Sequence, residues 1–473
     1  MSSSTIVFVT LIAYKIALLA VGFWASKRVS SEKDFFLAGQ GLGAWTAGLS
    51  YAASTSSAWV LLGYTGFVFA AGLKALWLIP GIFSGYFFTW YILGPKLNDE
   101  TRERGHITIV DFMVSDLDEK WQKAVSVAAA LMIIFCFVFY VAAQFQAAGN
   151  AFTSVFNMGS LESIVLGAVI IVVYCLLGGF WAASVTDALQ AMVMMLACIL
   201  VPIVTVSAAG GFENIAVILQ SQEAPEYFKL GGGMAAMLSI GAAMGLMGIG
   251  LGAMGQPQLL NRIMAAKDHK TRRQGALITI GWGVIVYIGV TCLAFSCRVL
   301  MPEAPSEELF FLAAEQYLSP VIAGIVIAAI LSAVMSTVDS LLLASASAVS
   351  HDLNLAKFTP GRELLTGRLA MVGIAVLAVI MTLYIPDSIF DRALFSWVAL
   401  GAAFGPITLV RCLGWSIKGG YVFSAVLIGF LIAVVFSNIS GVPADFIEKW
   451  VSWTLGLVIL SLGREKRVKT LSV

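Results

Sequence analysis

The sequence predicts an all-α integral membrane protein of about thirteen transmembrane helices, N-terminus out and C-terminus in, around a five-plus-five inverted repeat. Three observations predict it: an apolar composition, thirteen runs long enough to cross a bilayer, and two irregular runs five helices apart. Of 473 residues, 59% are apolar and only 12% charged, and the mean hydropathy is +0.92. That places the chain in the polytopic membrane class. A hydrocarbon core about 30 Å thick needs roughly 20 mainly apolar residues per spanning helix.

The first run, 5–25, follows Met1 and three serines with no basic stretch and no small-residue cleavage site. It is expected to be a retained, peripheral helix rather than a signal peptide. Runs at 43–70, 74–94, 125–156, 161–181 and 185–208 form the expected first repeat, 43–208. Those at 234–260, 274–298, 319–348, 369–385 and 393–412 form the second, 234–412. Peripheral runs at 420–438 and 446–463 complete a single membrane domain, 1–473, with no soluble output domain expected.

Lys and Arg favour cytoplasmic loops. Of the 28 in the chain, 22 fall on one side, in 26–41, 95–123, 262–273, 351–368, 411–418 and 464–469. Lys74, Lys229, Arg298, Arg392 and Lys449 fall on the other, and Lys15 lies within the first run. This sidedness sets the N-out orientation, although the formal net charge is only +1. No basic arm or aromatic-basic platform points to nucleic acid, and no obligate protein partner is evident. The six cysteines are scattered without CxxC spacing and read as packing residues. His106, His269 and His351 all fall in loops, so no metal cluster or His-based triad is expected within the membrane.

Lipid cannot satisfy freed backbone groups, so an unwound stretch must be buried in protein or line a wet cavity. The second run contains SYAASTSSAW (50–59), and the seventh packs Gly241, Gly245, Gly248, Gly250, Gly252 and Gly255 before Pro257. Glycine and proline weaken a helix there. Their spacing fits two inverted repeats that each open with a broken helix, an architecture that binds solute at the midplane.

The ninth run holds six serines, Thr337 and Asp339 within 331–350. At 100° per residue Ala333, Ser336, Thr337, Ser340, Ala344 and Ser347 share one face. Membrane hydroxyls commonly bond their own i−4 carbonyl, so they carry little alone. An intramembrane carboxylate is costly and requires a partner. Asp187 lies near the end of the sixth run, and the two acids facing one cavity would call for a cation or proton between them. Helix capping is the competing role for Asp187.

Six motifs, DFFLAGQGLGAW (34–45), SYAASTSSAW (50–59), LLGGFWAASVTD (176–187), GLGAMGQPQLLNRIMAA (250–266), AAILSAVMST (328–337) and WVALGAAFGP (397–406), resemble those of the sodium:solute symporter family. The likeness is strongest to its sodium/proline branch. The resemblance implies a multi-pass plasma-membrane protein, of the bacterial inner membrane, that is not an enzyme. It implies sodium-coupled symport of a small organic solute by alternating access, with Na+ as coupling ion and solute and lipid as partners. Proline or another amino acid is the first expectation, and pantothenate, a sugar or polyol, or a monocarboxylate stand beside it. A solute sensor and an intramembrane aspartyl hydrolase using Asp187 and Asp339 are further alternatives.

The resemblance assigns sodium to the carbonyls of Ala53, Ser56 and Ala333 and the hydroxyls of Ser336 and Thr337. It assigns a second cation to Asp187, Ser336, Asp339 and Ser340, where aspartate at 339 departs from the serine of such members. Solute contacts map to Ser57, Trp59, Tyr140, Ile249 and Ala253, the last two standing where the proline branch has aromatic residues. Gln144, one turn after Tyr140, faces the same way and is expected to bond the solute or another helix.

Overall fold

The computed structural model describes residues 3–26, 32–156, 158–177, 179–358, 363–385 and 388–465. Of the residues used for sidedness, Lys27, Arg28, Arg362, Lys466, Arg467 and Lys469 lie outside this set. The described chain is almost wholly helical. The principal helices are α1 (Ser3–Ser26), α2 (Ala44–Thr55), α3 (Leu78–Phe87), α4 (Glu119–Phe156), α5 (Ser160–Leu177), α6 (Phe180–Ala208) and α7 (Ala236–Met247). They continue with α8 (Pro257–Met264), α9 (His269–Leu300), α10 (Pro320–Ser347), α11 (Glu363–Tyr384), α12 (Ile389–Cys412), α13 (Gly419–Phe436) and α14 (Ser452–Leu462).

Nine helical stretches among the described residues are long and apolar enough to span a bilayer, and α1 and α5 add shorter apolar ones. The difference from thirteen arises largely where π and 3-10 turns join or interrupt spans. Trp59–Arg104 is one helical run containing the end of the second expected span and all of the third. Two boundaries also move. The fifth span ends at Leu177 rather than 181, and the sixth begins at Phe180 rather than 185. Asp187 therefore sits two turns inside α6, not at its end.

Of the spanning helices α10 and α12 are the most buried, whereas α11 and α13 turn much of their surface outward. Leu369, Val376, Leu377 and Ile380 on α11 are exposed apolar residues, as expected of a lipid-facing wall. The α10 surface opposite its hydroxyl face, Val334, Val338 and Leu342, is fully buried in protein, so lipid is excluded there. In a membrane no hydrophobic gradient separates helix from lipid, so association depends on close packing through small residues. Gly250 shows this directly: a Cβ there would lie 1.9 Å from the Gly81 carbonyl oxygen. Only glycine lets the 3-10 segment Gly248–Gly255 seat against α3.

Candidate functional site

Both expected breaks are present. Helix α2 ends at Thr55, the chain bends at Ser56 and Ser57, and a π turn follows over Trp59–Tyr64. Helix α7 gives way to the 3-10 segment Gly248–Gly255, then to extended Gln256 (φ −86°, ψ 109°), before α8 restarts at Pro257. Proline suits a first helical position because its missing N–H has no helical partner to lose.

Neighbouring side chains take up backbone groups that the breaks release, as a membrane interior demands. At the first break the Ala58 N–H donates to Gln144 Oε1 (3.2 Å), while Gln144 Nε2 donates to Ser57 Oγ (3.3 Å). The Tyr140 and Ser57 hydroxyls are 3.3 Å apart, and Trp59 Nε1 donates to the Thr55 carbonyl (2.9 Å). Gln144 thus braces the broken helix. At the second break Gln256 Nε2 donates to the Trp397 carbonyl (2.8 Å), and Trp397 Nε1 donates to the Ile249 carbonyl (2.8 Å).

These contacts bring most of the expected solute residues around one centre. Trp59 packs against Phe390 and Trp397, with ring centroids 6.1 and 6.4 Å away, and Trp397 reaches Ile249. Ala253 turns instead toward α3, where it limits the space at Gly85.

The expected sodium residues are fully buried at the end of α2 and the middle of α10. The Ser336 and Thr337 hydroxyls both donate to the Ala333 carbonyl, at 3.2 and 3.0 Å. Three oxygens therefore converge on one side of α10. Ser54 joins the two helices, its Oγ 3.0 Å from Ser340 Oγ and 3.5 Å from the Ser336 carbonyl. The last turn of α2 has no helical donors for all of its carbonyls, so those of Ala53 and Ser56 are candidates for an outside partner.

Around Asp187 the arrangement differs from a site held by two acids alone. Arg262, counted among loop residues, lies fully buried in α8 and pairs with Asp187 through Nη2–Oδ2 at 2.9 Å. Ser50 Oγ donates to the same carboxylate oxygen (2.7 Å) and accepts from Arg262 Nε (2.8 Å). Arg262 also donates to the Ser340 hydroxyl and the Gln258 carbonyl. The guanidinium fork thus ties α2, α6, α8 and α10 together. The sequence called for a cation or proton between the two acids but placed Arg262 in a loop, 262–273, so it did not point to this residue.

His351 has neighbours that its sequence position did not suggest. Its Nε2 lies 3.1 Å from both carboxylate oxygens of Asp111, and Asp352 joins them in a group able to hold a metal ion. Asp111 also closes a capping box with Thr108. Burial alone would raise the Asp111 carboxyl, but the His351 imidazole and the Ile107 and Thr108 N–H groups outweigh it and hold it below the ordinary value.

The family model for the sodium:solute symporter family matches residues 35–429. The chain belongs to that family. It is 29% identical to the sodium/proline symporter of Escherichia coli (strain K12), over 98% of this chain and 94% of the relative. It is 33% identical to the osmoregulated proline transporter OpuE of Bacillus subtilis (strain 168), over 85% and 83%. Among solved structures it resembles a substrate-bound, outward-open Na+-coupled sialic acid symporter, with a TM-score of 0.81, 15% identity and 97% of each chain covered. A nucleobase-cation-symport-1 family transporter gives a TM-score of 0.58 at 14% identity, over 90% and 92%. The fold is that of these membrane transporters. This member of the sodium:solute symporters is a multi-pass plasma-membrane protein that couples solute movement to Na+.

Proposed function

We propose that this symporter carries proline, or an amino acid of similar size, inward with sodium by alternating access. The observation that carries the reading is the paired break. The bend at Ser56 and Ser57, the Trp59–Trp397 wall and the 3-10 segment at Ile249 converge on one centre, and just before the bend Ser54 ties α2 to the oxygen face of α10. Similarity to proline transporters over most of the chain supports the solute class. Ile249, in place of one of the branch's aromatic residues, leaves more room at this centre and argues for testing amino acids larger than proline as well.

In this reading Ala53, Ser56, Ala333, Ser336 and Thr337 ligate sodium, since hard cations take oxygen ligands. Ser57, Trp59, Tyr140 and Ile249 contact the solute, while Gln144 holds the first break open for it. Sodium ties α2 to α10 and so orders the adjoining pocket; each ligand then tightens the other by the same factor. The N-out, thirteen-helix topology delivers the ion inward, where moving one charge through 100 mV contributes about 2.3 kcal/mol. Lipid is the only other partner required, and no chemical step is involved.

Binding of labelled proline to the purified protein, with NaCl or choline chloride, tests this. Sodium-dependent binding that unlabelled solute displaces is expected. Thr337→Val keeps the shape of the side chain but removes an oxygen ligand, and should raise the half-saturating sodium concentration at least several-fold. An unchanged sodium midpoint would remove Thr337 from the site.

A further inference from the structure

Three glycines of the run before the second break, Gly241, Gly245 and Gly248, carry a segment that follows α13. A Cβ at these positions would lie 2.7 Å from Val442 Cγ1, 3.2 Å from Asp445 Cβ and 2.8 Å from Lys449 Cβ. The segment comprises a helical turn, Val442–Phe446, and a π turn, Ile447–Val451. Trp450 Nε1 secures it to α7 by donating to the Met244 carbonyl (2.7 Å). With α4, α12 and α13 it also borders a cavity of about 530 Å³, within the roughly 300–1,000 Å³ of small-molecule sites. Arg392 and Lys449 place this cavity on the side read above as outer.

One part of the wall is charged and buried. Arg392, Lys449 and Glu448 are at most 7% exposed, and Asp391 and Asp445 join them. Lys449 Nζ donates to Glu448 Oε2 (2.6 Å) and lies 3.8 Å from Asp445 Oδ1. Arg392 donates to the Ile385 carbonyl, and Asp391 accepts from the Ser388 hydroxyl (2.5 Å). With cations and carboxylates both in the wall, a ligand of one sign meets like charge, whereas one carrying both signs can be matched. The other part is apolar and outward. Phe135 and Ile439 line the cavity yet are 44% and 50% exposed, and Leu131, Leu431 and Val435 extend that surface at i, i+4 spacing along α4 and α13. A soluble zwitterion gains nothing from these rows; a phospholipid uses both parts.

We propose that this cavity binds a phospholipid of the outer leaflet whose headgroup carries a primary ammonium beside its phosphate, as phosphatidylethanolamine does. Arg392 and Lys449 meet the phosphate, and Glu448 and Asp445 meet the ammonium, whose N–H groups donate where a quaternary amine has none. The acyl chains lie along Leu131, Phe135, Leu431 and Val435. Basic pockets between spanning helices bind lipid headgroups, and the acids here add the demand for an ammonium. The segment holding Glu448 and Lys449 rests on α7 just before its break, and α12, which carries Arg392, sends Trp397 to the Ile249 carbonyl. An occupied cavity therefore braces the second break from two sides.

Native mass spectrometry of the purified protein in detergent, titrated with phosphatidylethanolamine, phosphatidylcholine or phosphatidylglycerol of identical chains, tests this without sodium or solute. Thermal midpoints are read in parallel. A single phosphatidylethanolamine should bind at least several-fold more tightly than either other lipid and raise the midpoint. Glu448→Gln should remove that preference while leaving phosphatidylcholine binding unchanged. Asp445→Asn, at an exposed side chain, makes the same test if the first variant fails to fold. Equal binding of the three lipids would overturn the proposal, because the cavity would then hold only the common lipid shell. So would a preference that persists in both variants. Glycerophosphoethanolamine, the headgroup without chains, should bind far more weakly than the lipid; equally tight binding would overturn the lipid as occupant and give the cavity to a soluble zwitterion.

Discussion

Replacing Arg262 by methionine should be among the most damaging single changes in the protein. The substitution leaves Asp187 buried without its partner, next to Asp339, and frees the hydrogen bonds that join four helices. Removing one member of a buried ion pair typically costs about 3–5 kcal/mol, because the remaining charge is stranded. Combining Arg262→Met with Asp187→Asn should recover much of the loss, since residues acting as one unit are non-additive. Thermal unfolding midpoints in one detergent provide the comparison. A double variant that is worse than either single one would mean the two side chains stabilise the fold independently.

Gly250→Ala should be comparably severe, for a steric reason. The added Cβ would lie 1.9 Å from the Gly81 oxygen and 2.6 Å from its carbonyl carbon. Backbone on a packed helix cannot yield as a flexible side chain can. Overpacking typically costs about 1–3 kcal/mol and sometimes more, and this contact lies at the upper end. The displaced 3-10 segment would carry Ile249 and its bond to Trp397 with it, so solute affinity should fall along with stability. Gly281→Ala is the control, because nothing lies within 4 Å of its Cβ position and alanine favours helix by about 1 kcal/mol. Equal midpoints for the two variants would contradict the close-approach account.

Hydroxyl spacing and broken-helix composition made the two helix breaks and the hydroxyl face of α10 legible in the sequence. The SYAASTSSAW and glycine-rich runs announced both breaks because small and hydroxyl residues resist a continuous helix. The 333, 336, 337 spacing placed one carbonyl and two hydroxyls on a common face, and the structure brings those three oxygens together. Arg262 was not legible because a basic residue close to a loop is ordinarily solvated, and its burial depends on a helix restarting at Pro257. The Gln144 brace was half legible: periodicity gave its direction, but only the position of the bend decides that it meets Ala58. Contacts distant in sequence, such as Asp111 with His351, follow from tertiary packing that periodicity does not encode.

The most direct test of the account is labelled-proline uptake by purified protein in sealed proteoliposomes, with an inward sodium gradient or with sodium equal on both sides. Accumulation above the external concentration only under the gradient, abolished when an ionophore collapses it and reduced at limiting sodium by Thr337→Val, is the expected result. Uptake that is equally fast without sodium, or sodium-dependent binding that never becomes accumulation, would contradict sodium-coupled proline symport as the function of this chain.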